Sequence, residues 1–410
     1  MTFNYLNLVG NADLIKQLNY AMIYRLIVQH APISRIQLAE VSHLAPASIT
    51  KITRQLIKKK LIREVDAQQS TGGRPAVSIE AKFNHYQTIA VQLSRSQVTL
   101  ELYDIGGNCL LSNVYPLTHF TQELAQKYLI KLIEQFIQEH SKRIKNLIAI
   151  SVVLPGLIDS VRGIIRYTPH IQVKEWPLSE ELQKQFNVSI FLGNDIQSLA
   201  LAESYFGTTQ NVDDSILIRV HRGVGSGVII NQQLLTNHNQ SACEVGHIQV
   251  DALGERCHCG NFGCLENRVV NKAIELRAKQ MIEQGYPTKL SLDDCNIANI
   301  CKYANQGDEL AIKLVKDAGE NLGRAVAMMV NIFNPQQIVL AGELTKSPEV
   351  LLNAVNSALN AQSLEELRKN LTINCSSLND CSAIGAFALI QQALFNGSLL
   401  MTLLENNMPA

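Results

Sequence analysis

The sequence lacks any long hydrophobic run. A helix that spans a bilayer needs about 20 consecutive apolar residues, and the best candidate, residues 147–158, is short and broken by Pro155 and Gly156. The first 14 residues have neither a basic n-region nor a long apolar stretch, so no signal peptide is expected. The sequence therefore predicts a cytoplasmic protein without membrane insertion.

A net charge is also missing, because 36 basic and 36 acidic side chains balance. The apolar content of 46% and the charged content of 18% describe an ordinary globular chain. At about 150 residues per domain, a chain of this length predicts two or three domains. Disulfide patterning is absent too: there are nine cysteines, an odd number, and most are scattered. Free thiols of this kind suit a reducing compartment.

The balanced total conceals a strongly basic segment. Between Leu14 and Arg63 there are nine lysines and arginines, and Glu40 is the only acid. The rest of the chain must then be net acidic. A basic segment on an acidic body favours a polyanionic partner for that segment.

The basic segment has the pattern of a winged helix-turn-helix. Ser34 and Gln37 form a capping-box signature that predicts a helix to about Ser42, and Pro46 suits the first position of the next helix. A hairpin with a glycine tip over residues 61–79 predicts the wing. We interpret residues 1–80 as a domain that binds double-stranded operator DNA. The alternative is a small helical bundle whose charged face is only solvated and binds no DNA. The candidate contacts are polar or cationic: Ser48, Thr50, Lys51, Thr53, Arg54 and Arg74.

The chain beyond residue 84 predicts an α/β body, because strands alternate with helices. Predicted strands cover residues 88–93, 98–103, 109–115, 147–154, 215–220 and 338–341, and a long amphipathic helix covers 122–142. A glycine loop is predicted at residues 223–227, directly after one of these strands.

A cluster of cysteines lies between two glutamates, Glu244 and Glu266. Three thiolates and one imidazole are the ligand set of a closed tetrahedral zinc site. Gly260 and Gly263 supply the permissive backbone that a sharp fold round a metal needs. We predict that the metal fixes a loop that presents His247 and the two glutamates to a small ligand; the alternative is a zinc staple without a ligand. The predicted metal ligands are His247, Cys257, Cys259 and Cys264, and His258 and Cys243 are alternatives.

Together these motifs resemble the ROK family of bacterial sugar kinases and sugar-responsive repressors. The resemblance is carried by the segment from Gly246 to Glu266, by Pro155-Gly156, by Asn194-Asp195 and by the glycine loop, and the fused winged helix points to the repressor branch. It implies a two-lobed actin-like fold of the sugar kinase/ribonuclease H-like type. The first lobe would cover residues 85–195 and regain the C-terminal helices 383–410. The second would cover residues 196–382, with the zinc site and a dimer surface.

The resemblance also implies ligands and partners. It implies one structural Zn²⁺ per chain and a homodimer or homotetramer. It implies N-acetylglucosamine 6-phosphate as the inducer. One ring nitrogen of His247 would coordinate zinc, and the other would hydrogen-bond to the sugar. The implied sugar-binding residues are Asn194, Asp195, Glu244, His247 and Glu266.

The departures from the kinase pattern predict that the protein is not an enzyme. The kinases have Asp-x-Gly-Gly-Thr where this chain has residues 92–96, Gln-Leu-Ser-Arg-Ser. That sequence offers no carboxylate for a metal nucleotide and no glycine for phosphate. We infer that Arg222 and Gly225 instead bind the phosphate of an already phosphorylated sugar. The other interpretation of Arg222 is a surface salt bridge.

Two alternative functions remain open from the sequence. One is a glucose-responsive ROK repressor controlled by a membrane sugar-transporter domain. The other is an active ROK sugar kinase with an appended DNA-binding domain, against which the altered phosphate loop argues.

Overall fold

The computed structural model describes residues 12–65, 77–117, 121–169, 171–236, 243–378 and 382–405. Its contacts divide the chain into two compact units, residues 1–194 with 382–410 and residues 195–381. Each unit contains its own five-stranded sheet.

The N-terminal part of the first unit is a winged helix-turn-helix. It contains α1 (Ala12–His30), β1 (Ile33–Ser34), α2 (Arg35–Ser42), α3 (Pro46–Lys58), β2 (Ile62–Val65) and β3 (Ser78–Ala81), with strand order β1-β3-β2. The predicted capping box is confirmed, because the Ser34 hydroxyl accepts from the Gln37 N–H and the Gln37 side chain accepts from the Ser34 N–H. Pro46 stands at the start of α3 as predicted. Arg74 and the tip of the wing lie outside the described residues.

The first unit continues into a mixed sheet with strand order β10-β7-β4-β5-β6. Its strands are β4 (Gln87–Leu93), β5 (Gln97–Asp104), β6 (Cys109–Pro116), β7 (Leu147–Leu154) and β10 (Ser189–Asn194), and β8 (Leu157–Asp159) pairs with β9 (Ile164–Tyr167). The helices between them are α4 (Gln122–Glu139) and α5 (Leu178–Phe186). Strand β7 is buried almost throughout and parallel to both neighbours, as its unbroken apolar run predicts.

Two C-terminal helices, named α13 (Ile384–Phe395) and α14 (Ser398–Glu405) in the order of the whole chain, complete the first unit. They share one hydrophobic core with α1, which includes Tyr24, Ile27, Ile390 and Leu394. Polar contacts reinforce it, because the Gln17 amide donates to the Asn396 carbonyl at 2.9 Å. The winged helix, predicted as a domain of its own, is therefore packed on the C-terminal helices.

The described part of the chain contains no single helix that is long and apolar enough to cross a bilayer. Helices α13 and α14 together reach that length and composition, but they meet at an angle of 69°. Most of α13 is buried in the protein core, which accounts for its apolar sequence.

The second unit has a sheet with strand order β13-β12-β11-β14-β15. Its strands are β11 (Ser215–Val220), β12 (Val224–Ile230), β13 (Gln233–Leu234), β14 (Gln337–Gly342) and β15 (Thr372–Cys375). Its helices are α6 (Asp195–Phe206), α7 (Glu266–Val269), α8 (Asn271–Glu283), α9 (Ile297–Asn305), α10 (Glu309–Phe333), α11 (Pro348–Gln362) and α12 (Glu365–Arg368). The predicted strands at 215–220 and 338–341 are confirmed. The predicted glycine loop is wrong from residue 224 onward, because that segment pairs with β11 as strand β12.

Candidate functional site

The segment from His247 to Cys264, here called the knuckle, folds back on itself. The Val250 N–H donates to the Gly263 carbonyl at 2.9 Å, and the Cys257 N–H donates to the Asn261 carbonyl at 2.7 Å. Gly263 has a φ of +64°, and a β-carbon there would collide with the Asp251 carbonyl. Only glycine therefore allows the two sides of the knuckle to meet.

The knuckle brings together four side chains that could hold a metal ion: His247, Cys257, Cys259 and Cys264, whose ligand atoms all lie within 4.8 Å of one another. Cys257 Sγ is 3.7 Å from His247 Nδ1, and Cys259 Sγ is 3.7 Å from Cys264 Sγ. A tetrahedral site with Zn–S distances of about 2.3 Å has sulfur–sulfur edges of about 3.8 Å. The spacing fits a closed tetrahedral metal site that uses Nδ1 of His247.

The thiols of the knuckle influence one another. Burial and the two neighbouring thiols raise the pKa of Cys264 to about 12. The Asn261 N–H lowers the pKa of Cys259. Because metals bind the thiolate form, a bound cation would offset both the burial and the neighbouring thiols that raise the pKa of Cys264.

The two alternative ligands lie outside this set. His258 Nδ1 is 3.7 Å from Cys257 Sγ, but the ring is largely exposed and Nδ1 also lies 3.3 Å from Glu266 Oε1. Cys243 contributes its carbonyl to a 2.6 Å hydrogen bond from the Ser226 hydroxyl. Among the described residues, the four-ligand cluster includes neither side chain.

The turn that carries Glu244 and His247 and the helix that begins at Glu266 both lie beside the start of β12. Glu266 begins α7 directly after the knuckle, and its Oε2 accepts from the Val224 N–H at 3.2 Å. A β-carbon on Gly246 would collide with the Val224 carbonyl, so the turn that carries His247 lies against the same backbone. The Glu244 carbonyl accepts from the His247 N–H at 3.1 Å.

Asp195, the first residue of α6, is held on the same hairpin of β11 and β12. It pairs with Arg219 of β11 at 3.4 Å. Burial raises the pKa of the Asp195 carboxyl, and Arg219 opposes that shift. The glycines of β12 allow α6 to approach, since a β-carbon on Gly225 would collide with Ile196. Sequence reasoning missed Arg219; its signal was that it is the only charged residue of the predicted strand 215–220.

The turn between β11 and β12 carries further polar side chains. Arg222 is exposed there, and none of the ion pairs between described residues involves it. His221 Nδ1 lies 2.8 Å from a carboxylate oxygen of Glu343, and the Asn271 amide donates to Glu343 at 2.9 Å. Burial raises the pKa of Glu343, but the hydrogen bonds from His221 and Asn271 outweigh it and lower the pKa to about 2. No motif in the sequence assigned a role to His221 or Asn271.

Asn194 belongs to the first unit. It ends strand β10, and its amide donates to the Gly156 carbonyl at 3.0 Å. The Pro155-Gly156 turn is thus joined to the end of β10 by a side chain predicted to bind sugar.

Helix α3 displays most of the residues predicted to contact DNA. Thr50, Lys51 and Arg54 are exposed, and Ser48 is half-buried. Thr53 was predicted on an exposed face, and that prediction is wrong. Its side chain is fully buried, its hydroxyl donates to the Ile49 carbonyl at 2.8 Å, and it accepts from Arg35 Nε at 3.1 Å. Because it lies among the inward-facing residues of α3, Thr53 positions Arg35 instead of presenting its hydroxyl to a base.

The fold and the site define a class of protein: a winged helix-turn-helix joined to a two-unit α/β body of the actin-like sugar-kinase type, with a Cys₃His knuckle. The chain belongs to the ROK family, whose profile it matches over residues 88–393.

Individual relatives cover almost the whole chain. It is 52% identical over 398 residues to the N-acetylglucosamine repressor of Shigella flexneri, covering 97% of this chain and 98% of that one. It is 34% identical over 409 residues to the DNA-binding transcriptional repressor Mlc of Escherichia coli K12, covering 97% and 99%. The crystal structure of a ROK family transcriptional regulator described as a homologue of E. coli Mlc superposes with a TM-score of 0.91 at 37% identity, covering 96% and 100%.

Proposed function

We propose that the protein is a cytoplasmic transcriptional repressor of amino-sugar genes, released from operator DNA by N-acetylglucosamine 6-phosphate. The observation that carries the proposal is the 52% identity, over nearly the full length of both chains, to an N-acetylglucosamine repressor. The exposed Thr50, Lys51 and Arg54 of α3 supply the side-chain types that read base edges and hold phosphates.

The knuckle would hold one structural Zn²⁺ through His247 Nδ1 and three thiolates. With Nδ1 on the metal, the second ring nitrogen of His247 is free to donate to a sugar hydroxyl. Glu244, Glu266, Asp195 and Asn194 would bind the remaining hydroxyls, and Arg222 would bind the phosphate. The predicted phosphate contact from the N–H of Gly225 is not retained, because Gly225 pairs with Arg219 in the sheet. The zinc would act as a staple and not as a Lewis acid, because a closed four-ligand site has no open position.

The proposed mode of action needs two copies of the chain. A homodimer or homotetramer would present paired recognition helices to half-sites about 34 Å apart, one helical turn of DNA. A coupling free energy of about 1–3 kcal/mol between sugar and DNA would change operator affinity by about 5- to 150-fold.

The test is operator binding by fluorescence anisotropy at fixed salt, with and without N-acetylglucosamine 6-phosphate. Free N-acetylglucosamine and glucose 6-phosphate separate the contributions of the phosphate and the acetamido group. We expect the phosphorylated amino sugar alone to weaken operator binding at least fivefold. Equal operator affinity under all four conditions would contradict the proposal. Phosphorylation of the sugar by the protein with ATP would favour the kinase alternative.

A further inference from the structure

A cavity lies in the groove between α8 and α10, and none of the residues proposed to bind sugar lines it. It has a volume of about 390 Å³, and Asp251 and Arg268 at the base of the knuckle belong to its lining. Lys313, Asp317, Asn321 and Arg324 recur at intervals of three or four residues, so they form one face of α10. Arg277 faces this row from α8.

Basic side chains outnumber acidic ones in the groove. Four cations line it, namely Arg268, Arg277, Lys313 and Arg324, against three carboxylates, namely Asp251, Asp317 and Glu320. Glu320 lies 3.9 Å from Lys316, which does not line the cavity. The remaining charge of the groove is therefore positive.

The cations at the knuckle end already have partners. Arg268 forms an ion pair with Asp251, and Arg324 donates to the Val250 carbonyl at 3.1 Å. The hydrogen bond from Arg268 is the largest cause of the lowered pKa of Asp251. This end of the groove supports the knuckle and has little capacity for another anion.

The other end has that capacity. Arg277 and Lys313 share one carboxylate, Asp317, at the long distances of 3.7 and 3.8 Å. Both side chains are about half exposed. Two cations that share a single carboxylate at such distances can accept a further anion from solvent, and a guanidinium fork matches phosphate oxygens well.

We propose that this groove binds the phosphate group of a small phosphorylated molecule, with Arg277 and Lys313 as its ligands. The floor beyond these cations is apolar and buried, with Ile274, Leu314 and Ala318. It gives the uncharged part of the molecule a surface to lie against. The Asn321 amide donates to the Asp317 carbonyl at 2.7 Å, so its side-chain oxygen can accept from a hydroxyl of that molecule.

The groove borders the helix that carries Glu266, one of the proposed sugar ligands. The short helix α7 carries Glu266 at its first residue and Arg268 two residues later. Glu266 contacts the start of β12, and Arg268 contacts the base of the knuckle. A molecule bound at Arg277 and Lys313 would therefore lie in the same groove as Arg268, on the helix that carries Glu266, while Arg268 keeps its ion pair with Asp251.

The experiment is calorimetric titration of inorganic pyrophosphate into the full-length protein, without sugar or DNA and at low ionic strength. We expect wild type to bind, and the double variant R277A/K313A to bind at least tenfold more weakly. D317N should bind several-fold more tightly, because it removes the competing negative charge while keeping the shape. The matched control is K279A, an exposed cation on α8 that does not line the cavity, which should leave affinity unchanged.

Several outcomes would overturn the proposal. One is that wild type does not bind pyrophosphate, and another is that D317N binds it more weakly than wild type. A third is that R222A loses affinity for pyrophosphate while R277A/K313A does not, because that result would place the anion at the sugar site. A change in oligomer mass in R277A/K313A without pyrophosphate binding in wild type would identify the groove as an interface between copies. The titration uses neither sugar nor operator. The groove can therefore fail to bind pyrophosphate while the proposed repressor function stands, and the repressor function can fail its own test while the groove binds pyrophosphate.

Discussion

At the scale of single residues, the charged side chains around the β11–β12 hairpin differ in whether they form ion pairs within the protein. Asp195 and Glu343 each face a basic side chain of the β11–β12 hairpin. Arg222, in the same hairpin, is exposed at the turn. An exposed cation beside a ligand site can bind a phosphate without first giving up a protein partner.

We predict that R222A weakens binding of N-acetylglucosamine 6-phosphate about tenfold or more and leaves binding of free N-acetylglucosamine within about twofold. The physical reason is that a charge-assisted hydrogen bond to phosphate contributes about 1.5–3 kcal/mol. Calorimetry on both ligands measures the difference. K279A, which removes an exposed cation from α8, serves as the control. Equal losses for the two ligands would reject Arg222 as the phosphate ligand.

The lowered pKa of Glu343 predicts that its contribution to the free energy of unfolding is lost in acid. Its folded pKa of about 2 is below its ordinary value of 4.5, so its stabilising contribution is complete above about pH 4.5 and is lost as the pH falls toward 2. We therefore expect the difference in unfolding free energy between wild type and E343Q to shrink as the pH is lowered from 5.5 to 3. Urea unfolding at each pH measures it, and a difference independent of pH would show that the contacts of Glu343 do not depend on its charge.

At the scale of secondary-structure elements, short segments decide the geometry of the site. The knuckle has few residues in regular structure, and its shape depends on backbone hydrogen bonds and on two glycines with positive φ. The hairpin of β11 and β12 contacts the segments that flank the knuckle, at Gly246 and Glu266, and it also contacts α6 and α8.

The two glycines of the knuckle allow a matched comparison. Gly260 has a φ of +95° with nothing within 4 Å of an added β-carbon, whereas a β-carbon on Gly263 would collide with the Asp251 carbonyl. We expect G260A to retain its metal at a cost of about 1–2 kcal/mol of backbone strain, and G263A to lose most of it. Metal content after purification, by mass spectrometry, measures this. Full metal content in G263A would show that the knuckle tolerates a wider approach.

At the scale of the whole molecule, the first unit joins segments from both ends of the sequence. Arg25 of α1 donates to the Phe395 carbonyl at 3.2 Å, and its guanidinium lies 5.5 Å from the centre of the Phe395 ring. The shared core of α1, α13 and α14 makes the winged helix an integral part of this unit. Stability of the DNA-binding part therefore depends on the last helices of the chain.

This dependence can be tested at Gly397. It has a φ of +83°, and a β-carbon there would lie 2.7 Å from the Gln17 carbonyl and 3.2 Å from Ala21. Gly285 has the same φ with nothing within 4 Å, so G285A has the same backbone strain without the collision. We expect G397A to lower amide-exchange protection in both α1 and α13, and G285A to leave both unchanged. A loss confined to α13 would show that α1 is stable without this contact.

Local chemistry in the sequence was sufficient to predict much of this protein. The capping box at Ser34, the helix start at Pro46 and the apolar strand ending at Leu154 depend on neighbouring residues, so they can be recognised along the chain. The cysteines of the knuckle were recognisable for the same reason, because they lie within eight residues of one another.

Tertiary structure decided the features that depend on distant partners. It buried Thr53, made a strand of most of the predicted glycine loop, paired Asp195 with Arg219, and joined α1 to α13 and α14. In each case the partner is many residues away or on a different element. Sequence spacing records periodicity along one element, whereas burial and ion pairing are set by which elements pack against each other.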